Sequence, residues 1–325
     1  MRRAHRSTPE AEATKGCRVV NTIPIKRLLL ATDFSECARR AEHYASALAA
    51  SWRAQLTVMT VVEFQPGLDR EYAVNQVYLS DRMYHATAEL SAFKDKLHRR
   101  GIETITRVGT GLPSEEVIAA AQAVNADLIL LGTRGKSGLA HVLLGSTAER
   151  VLRMAPCPVL AVPMPKAEDI VGQNLALDRI LVPTDLSDCS LEAVQYARVV
   201  AGQAKASIEL LHIMEPASYG IDFTIESADE REQKRKAAAK QLDDLSCQLA
   251  AAGIAVNVSL RGGRPPDAIL EVAARSASDL IVMGTHGRRG LSHLWAGSVT
   301  EAVLRRGAIP VLAVRKPAFS RRMQS

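Results

Sequence analysis

The sequence predicts an α/β chain of two tandem, doubly wound domains, each a parallel sheet with helices on both faces. Three observations carry this. Short apolar runs of strand length alternate with helical stretches as β-α-β-α-β-α-β-α-β. The pattern then restarts at a constant offset of 152 residues. Each copy also ends its fourth strand in glycines, as Gly132-Thr133-Arg134-Gly135, nine residues, Gly145-Ser146, and as Gly284-Thr285-His286-Gly287, nine residues, Gly297-Ser298.

Residues 1–24 are polar, broken by Pro9, Gly16 and Pro24, and read as a disordered tail. The first domain is assigned to 25–163. Leu28-Leu29-Leu30-Ala31 is a short apolar run suited to a strand buried on both faces. Ser35 or Asp33 caps the alanine-rich helix that follows, about 36–50. Gln55 to Val62 reads as the second strand and Phe64 to Leu79 as irregular, with Pro66 and Gly67. A helix over about 80–100 stops at Gly101, a C-cap glycine. Ile102 to Val108 is the third strand, and Pro113 opens a helix with Glu115 and Glu116 in its first turn. Asp127 to Leu131 is the fourth strand, a helix follows Gly145 to about Met154, and Pro158 to Val162 is the last strand. Residues 164–177 read as a linker, 178–316 as the second domain and 317–325 as a basic tail.

The landmarks repeat without a gap. Asp33, Ser35, Cys37, Gly101, Gly111, Pro113 and Pro158 recur as Asp185, Ser187, Cys189, Gly253, Gly263, Pro265 and Pro310. Between 132 and 153, 12 of 22 residues are identical to the second copy. A period this long is a duplicated domain, not a solenoid.

Composition narrows the function. A chain of 325 residues with 47% hydrophobic content is sized for two cores. No apolar run approaches the ~20 residues of a membrane span, and Arg2, Arg3 and Arg6 precede no apolar stretch that would make a secretory signal. Five scattered cysteines without a C-x-x-C suit a reducing cytoplasm and argue against a zinc site. Of the net charge of +6, residues 1–22 carry +3 and residues 315–325 carry +4, leaving the body at −1. The basicity belongs to the tails, so no specific nucleic-acid partner is expected.

Each half brings Thr-Asp-x-Ser after strand one (Thr32, Asp33, Ser35; Thr184, Asp185, Ser187), the glycine pair after strand four, and Gly-Ser at the next helix start. Ligands of open parallel sheets bind at that carboxyl edge. A carboxylate there accepts from a base amine or sugar hydroxyl, while glycine N–H groups and a helix N-terminus hold phosphates. Arg134, Lys136, Arg288 and Arg289 lie in the loops and add positive charge near a phosphate tail. Gly135-Lys136-Ser137 is not a Walker A end, because Leu130 stands where its first glycine belongs. Nor does the spacing of Gly132, Gly135 and Gly138 make a G-x-G-x-x-G.

The G-x2-G-x9-G-[ST] pattern in both halves, with Val182-Pro183-Thr184-Asp185-Leu186-Ser187, resembles the ATP-binding universal stress proteins, here as a tandem of two such domains covering about 26–163 and 178–315. The resemblance implies a five-stranded parallel sheet of order 3-2-1-4-5 and a nucleotide crevice between strands one and four. It implies ATP as the ligand, with Mg2+ carried by the phosphates. Asp33 and Val61 would meet the adenosine end in the first half, beside Ala31 and Thr32, and Asp185 and Ile213 in the second, beside Pro183 and Thr184. Ribose and phosphates would meet Leu131, Gly132, Arg134, Gly135, Gly145, Ser146 and Thr147, and correspondingly Met283, Gly284, Gly287, Gly297, Ser298 and Val299. Ala31 departs from the proline that the family often carries and that Pro183 keeps. The last strands, 158–162 and 310–314, are expected to pair as a built-in dimer, with a further homodimer open.

Plainer roles stand beside these. Asp33 and Asp185 also suit helix caps. Cys37 and Cys189 suit small buried filler better than reactive thiols. His141 and His293 repeat at the same offset and could reach a phosphate, a packed or exposed histidine being the plainer reading, and His286 has no evident ligand partner. The segment Asp229 to Lys240 suits a solvated helix face with pairs such as Glu232 and Lys236. With a duplicated binding motif and no paired carboxylates, nucleophile–base pair or metal cluster, the expectation is a cytoplasmic ATP-binding regulator of the stress response, its nucleotide-ordered loops read by a protein partner. The alternative is a slow ATPase or adenylyl-transfer enzyme. Valine at Gly132 and Gly284 is expected to abolish binding by blocking the approach of phosphate.

Overall fold

The computed structural model describes residues 24–64, 73–135, 144–164, 177–215, 227–285 and 297–315. The first half runs β1 (Arg27–Ala31), α1 (Glu36–Trp52), β2 (Gln55–Glu63), α2 (Ala73–His98), β3 (Thr104–Gly111), α3 (Pro113–Ala123), β4 (Leu128–Gly132), α4 (Ser146–Met154) and β5 (Val159–Val162). The second repeats it as β6 (Arg179–Pro183), α5 (Asp188–Ala204), β7 (Ser207–Met214), α6 (Ala228–Ala251), β8 (Val256–Gly262), α7 (Pro265–Arg275), β9 (Leu280–Gly284), α8 (Ser298–Arg306) and β10 (Val311–Val314).

Each half has its strands in the order 3-2-1-4-5, all parallel. The two halves join into one ten-stranded sheet through β5 and β10. These strands carry the same tetrapeptide, Val-Leu-Ala-Val, and pair antiparallel with Val311 opposite Ala161, Leu312 opposite Leu160 and Ala313 opposite Val159. The contact is isologous within one chain.

Alternation along the strands builds two apolar layers. Leu28 and Leu30 point to one face, with Leu48 of α1, Leu90 of α2, Val194 of α5 and Leu242 of α6. Leu29 points to the other, with Val117 of α3, Val151 of α4, Ile269 of α7 and Val303 of α8. Both layers run across the β5–β10 seam without a break. Polar contacts reinforce the join: Tyr196 Oη donates to the Asp127 carbonyl (2.9 Å), and Gln203 Oε1 accepts from the Ile25 N–H (2.8 Å) while its Nε2 donates to the Ile25 carbonyl (3.2 Å).

Two elements differ from the sequence reading. Helix α2 begins at Ala73, a full turn or more before the expected start. Val77 and Tyr78 on that stretch are 70% and 55% exposed, so no core-facing period marks it as helical. Strand β3 runs from Thr104 to Gly111, three residues past the expected end at Val108. Gly109 packs under Glu116: a Cβ there would lie 3.0 Å from Glu116 Oε2, and the carboxylate would have to shift. Gly101 takes the left-handed conformation (φ 73°) that closes the α2 turn.

At the amino edge of the strands, opposite the expected site, Asp127 Oδ2 accepts from the Lys26 and Arg27 N–H groups (2.8 and 2.9 Å) and its Oδ1 from the Arg27 guanidinium (3.0 Å). Asp279 clamps the Asp178 and Arg179 N–H groups in the same way, both at 2.9 Å. Removing the buried Asp127 carboxylate strands these donors. Asp127→Ala is therefore expected to lower stability by about 2–4 kcal/mol, several charge-assisted bonds being lost together. The urea midpoint should fall with an unchanged slope.

Candidate functional site

The loop after β1 is built by its own hydrogen bonds. Thr32 N–H donates to the Met59 carbonyl (2.9 Å), and Thr32 Oγ1 accepts from Phe34 N–H (3.0 Å). Asp33 Oδ1 accepts from Ser35 N–H (3.0 Å), and Ser35 caps α1 by accepting from Ala38 N–H (3.2 Å). Phe34 is held at φ 58°, and Leu186 in the second half at φ 62°. A non-glycine residue in that region costs of the order of 1 kcal/mol, and such strain collects at functional loops. The second loop repeats the bonds: Thr184 N–H to the Leu211 carbonyl (2.8 Å), Leu186 N–H to Thr184 Oγ1 (3.0 Å), and Ser187 N–H to Asp185 Oδ1 (3.1 Å). The capping residue is thus the serine, and the aspartate forms an Asx turn beside it.

The loop after β4 meets this one. A Cβ on Gly135 would lie 2.9 Å from Asp33 Oδ2, so the glycine backbone packs against the carboxylate. Gly145 N–H donates to the Thr133 carbonyl (2.7 Å), and its α-carbon face lies against Arg134 and Gly135. Gly297 N–H repeats the bond to the Thr285 carbonyl (2.6 Å). Helices α4 and α8 start on these glycines with no side-chain cap. Their first-turn N–H groups have no intrahelical partner, and in these turns Ser146 and Ser298 are exposed and Thr147 and Val299 half-buried.

Gly132 and Gly284 do something else. A Cβ on Gly132 would lie 3.0 Å from Cys37 Sγ and 3.1 Å from the Cys37 carbonyl carbon; on Gly284 it would lie 2.9 Å from the Cys189 carbonyl oxygen and Sγ. These glycines let the start of α1 and α5 dock against the end of β4 and β9. Valine there would displace a helix rather than block a phosphate. Cys37 and Cys189 are the buried filler of this contact. Leu131 and Met283 are core side chains, so only their backbone reaches the edge. Thr32 and Thr184 turn their hydroxyls inward. Ala31, Val61, Ile213 and Val299 are half-buried apolar walls on the face of the sheet covered by α3, α4, α7 and α8. Pro183 is buried. Gly287, Lys136, Gly138, His141, His286, Arg288, Arg289 and His293 lie outside the described residues.

The ladder between β1 and β2 ends at the Thr32–Met59 rung. Val61, two residues on, turns its N–H and C=O the same way. One backbone donor and one acceptor therefore face the crevice beside Asp33, and Ile213 repeats this beyond the Thr184–Leu211 rung.

The model described as the universal stress protein family matches residues 24–163 and again 176–315. The chain belongs to this family. The universal stress protein Slr1230 of Synechocystis is 27% identical over 90% of this chain and 100% of its own length. The universal stress protein MJ0531 of Methanocaldococcus jannaschii is 33% identical over 44% of this chain and 85% of its own. The crystal structure of a universal stress protein from Archaeoglobus fulgidus aligns with a TM-score of 0.64 and 25% identity, over 89% of this chain and 98% of that one. Among the described residues, no helix is long and apolar enough to cross a membrane.

Sequence reasoning missed the supports behind the loops, which differ between the copies. Thr32 Oγ1 donates to buried Glu42 Oε1 at 2.7 Å. Val194 stands at the equivalent position, and Thr184 Oγ1 instead meets Ser190 Oγ at 3.0 Å. His212 Nδ1 donates to the Thr184 carbonyl (2.7 Å), where the first half has Thr60. Burial pushes the Glu42 carboxyl above its ordinary value, against the opposing Thr32 hydrogen bond and the charges of Lys96 and Arg39.

Two outcomes follow from this packing. Gly284→Ala should lower stability by about 1–3 kcal/mol, more than Gly132→Ala, because its nearest neighbour is a backbone carbonyl; urea midpoints of the two variants give the order. For Glu42, the folded form holds its proton more tightly than the unfolded chain does. Its contribution is therefore full below the ordinary value of 4.5 and is lost as pH rises through the raised one. Relative to Glu42→Gln, the parent chain should lose stability over that interval; parallel pH–stability curves would contradict the assignment.

Proposed function

We propose that this family member is a nucleotide-responsive regulator of the stress response. Each half offers a purine-nucleotide crevice, and the first takes ATP. The observation that carries this reading is the open backbone pair at Val61, beside Asp33 and between the apolar walls of Ala31 and Val61. A peptide N–H and C=O side by side match the adjacent acceptor and amine donor of adenine. Asp33, fixed by the Ser35 N–H, accepts from a ribose hydroxyl. The uncapped start of α4, with Gly135, Gly145, Ser146 and Thr147, suits the phosphates. Arg134, half-buried in the same loop, adds a compensating charge. Mg2+ enters on the phosphates, where it neutralises charge between them.

Regulation follows from which parts can change. The sheet and its docked helices carry the packed core, so a nucleotide acts on the loop residues that meet its phosphates. Nucleotide shifts them only by as much as it favours one loop state over another. A protein partner then reads the ordered surface.

Calorimetry on the intact chain tests the reading. ATP should bind stoichiometrically to the first half, and Asp33→Asn, which keeps the Asx turn but removes the charge, should weaken that step by about tenfold or more. Absence of heat at millimolar ATP overturns nucleotide binding. Turnover well above ~1 per second overturns the purely regulatory role.

A further inference from the structure

We propose that the first crevice is proton-linked: ATP binding there draws a proton onto the buried acid behind the Asp33 turn, so the nucleotide is held more tightly as the medium turns acidic. The second crevice lacks this device. The inference rests on the nucleotide reading above and concerns the regulation of that same site.

Glu42, on α1, is 7% exposed. Its Oε1 accepts from Thr32 Oγ1 at 2.7 Å, and the same hydroxyl oxygen accepts from the Phe34 N–H at 3.0 Å. Asp33 lies between the two residues that this hydroxyl joins, and its own Oδ1 holds the Ser35 N–H at 3.0 Å. The turn that carries the carboxylate assigned to the ribose is therefore tied to a second carboxylate inside the domain. The charges felt by the Glu42 carboxyl are those of Lys96 on α2, Arg39 on its own helix and Asp33 itself. Burial raises that carboxyl and Asp33 adds to the rise, against the Thr32 hydrogen bond and the two cations.

A polyanion bound at this turn adds negative charge to the surroundings of Asp33 and Glu42. Charge of the same sign disfavours the ionised acid, so the Glu42 carboxyl rises further when ATP is bound. Linkage then fixes the sign. ATP takes up a proton on binding, and its affinity grows as pH falls through the raised value. In the second half Val194 stands at the position of Glu42, and Thr184 Oγ1 meets Ser190 Oγ at 3.0 Å. A titratable neighbour of that turn is His212, whose Nδ1 lies 2.7 Å from the Thr184 carbonyl. The carboxyl-dependent proton uptake therefore belongs to the first crevice.

Calorimetry of ATP binding to the intact chain tests this, run from the ordinary carboxyl value of 4.5 up to neutrality in two buffers of unlike ionisation enthalpy. The step to follow is the one that Asp33→Asn weakens. The comparison is with Glu42→Gln, which holds the neutral form at every pH. At neutrality the parent chain should bind ATP about three- to tenfold more weakly than this variant, the effect of one neighbouring charge on a polyanion; at the acid end the two affinities should converge. Between these limits the parent heat should depend on the buffer more strongly than the variant's, reporting the proton taken up. The nucleotide's phosphates, Asp33 and His212 are common to both chains, so the difference isolates Glu42. If Glu42→Gln fails to fold, a carboxyl-carbon NMR titration of the parent chain decides: one raised glutamate should move further up with saturating ATP, and none moving overturns the link. Equal pH dependence in the two chains likewise overturns it and leaves the crevice standing. No ATP heat from the parent chain at any pH sinks the nucleotide reading, and this inference with it.

Discussion

The antiparallel pairing of β5 with β10 governs the architecture. A short, self-complementary Val-Leu-Ala-Val strand in each half closes what would otherwise be an exposed sheet edge. Because the join is antiparallel, the strands of the two halves run in opposite directions. The carboxyl edge of one half therefore lies alongside the amino edge of the other, and the two crevices open at opposite ends of one sheet. Arg40 makes this concrete: its guanidinium donates to the Pro163 carbonyl just after β5 and to the Ala308 carbonyl just before β10, both at 3.2 Å. The first helix of one domain thus touches the second domain within a few residues of its own Asp33 loop.

The join also keeps matching helices on matching faces. Helices α1, α2, α5 and α6 share one apolar layer, and α3, α4, α7 and α8 share the other. A domain pair with a continuous core is harder to hinge than one joined by a linker alone. Among the described residues, the crevice rims carry the self-bonded Thr-Asp-x-Ser turn and the bonds from Gly145 and Gly297 to the Thr133 and Thr285 carbonyls.

Duplication preserved backbone and let side chains drift. The turn bonds, the positive φ at Phe34 and Leu186, and the glycine–cysteine contacts recur at one offset. Behind them, a buried acid became a valine, a threonine became a histidine, and a glycine under a carboxylate became an arginine. The first group sets where a ligand is held. The second sets charge and polarity around it, so equal folds need not mean equal ligands.

The two-domain α/β class, the strand order through the family resemblance, and the stretches that converge at the crevices are legible in the chain before any fold is known. Those are written in local period, glycine spacing and the 152-residue repeat, which need no knowledge of distant neighbours. The sequence leaves the early part of α2 hidden, because Val77 and Tyr78 there are exposed and mark no core-facing face. What each glycine is for depends on long-range packing. Gly135 meets Asp33, whereas Gly132 and Gly284 make room for cysteines that lie 95 positions earlier in the chain. The backbone pairs left open at Val61 and Ile213 likewise come from strand register. Register is a relation between strands far apart in the chain, and no single segment encodes it.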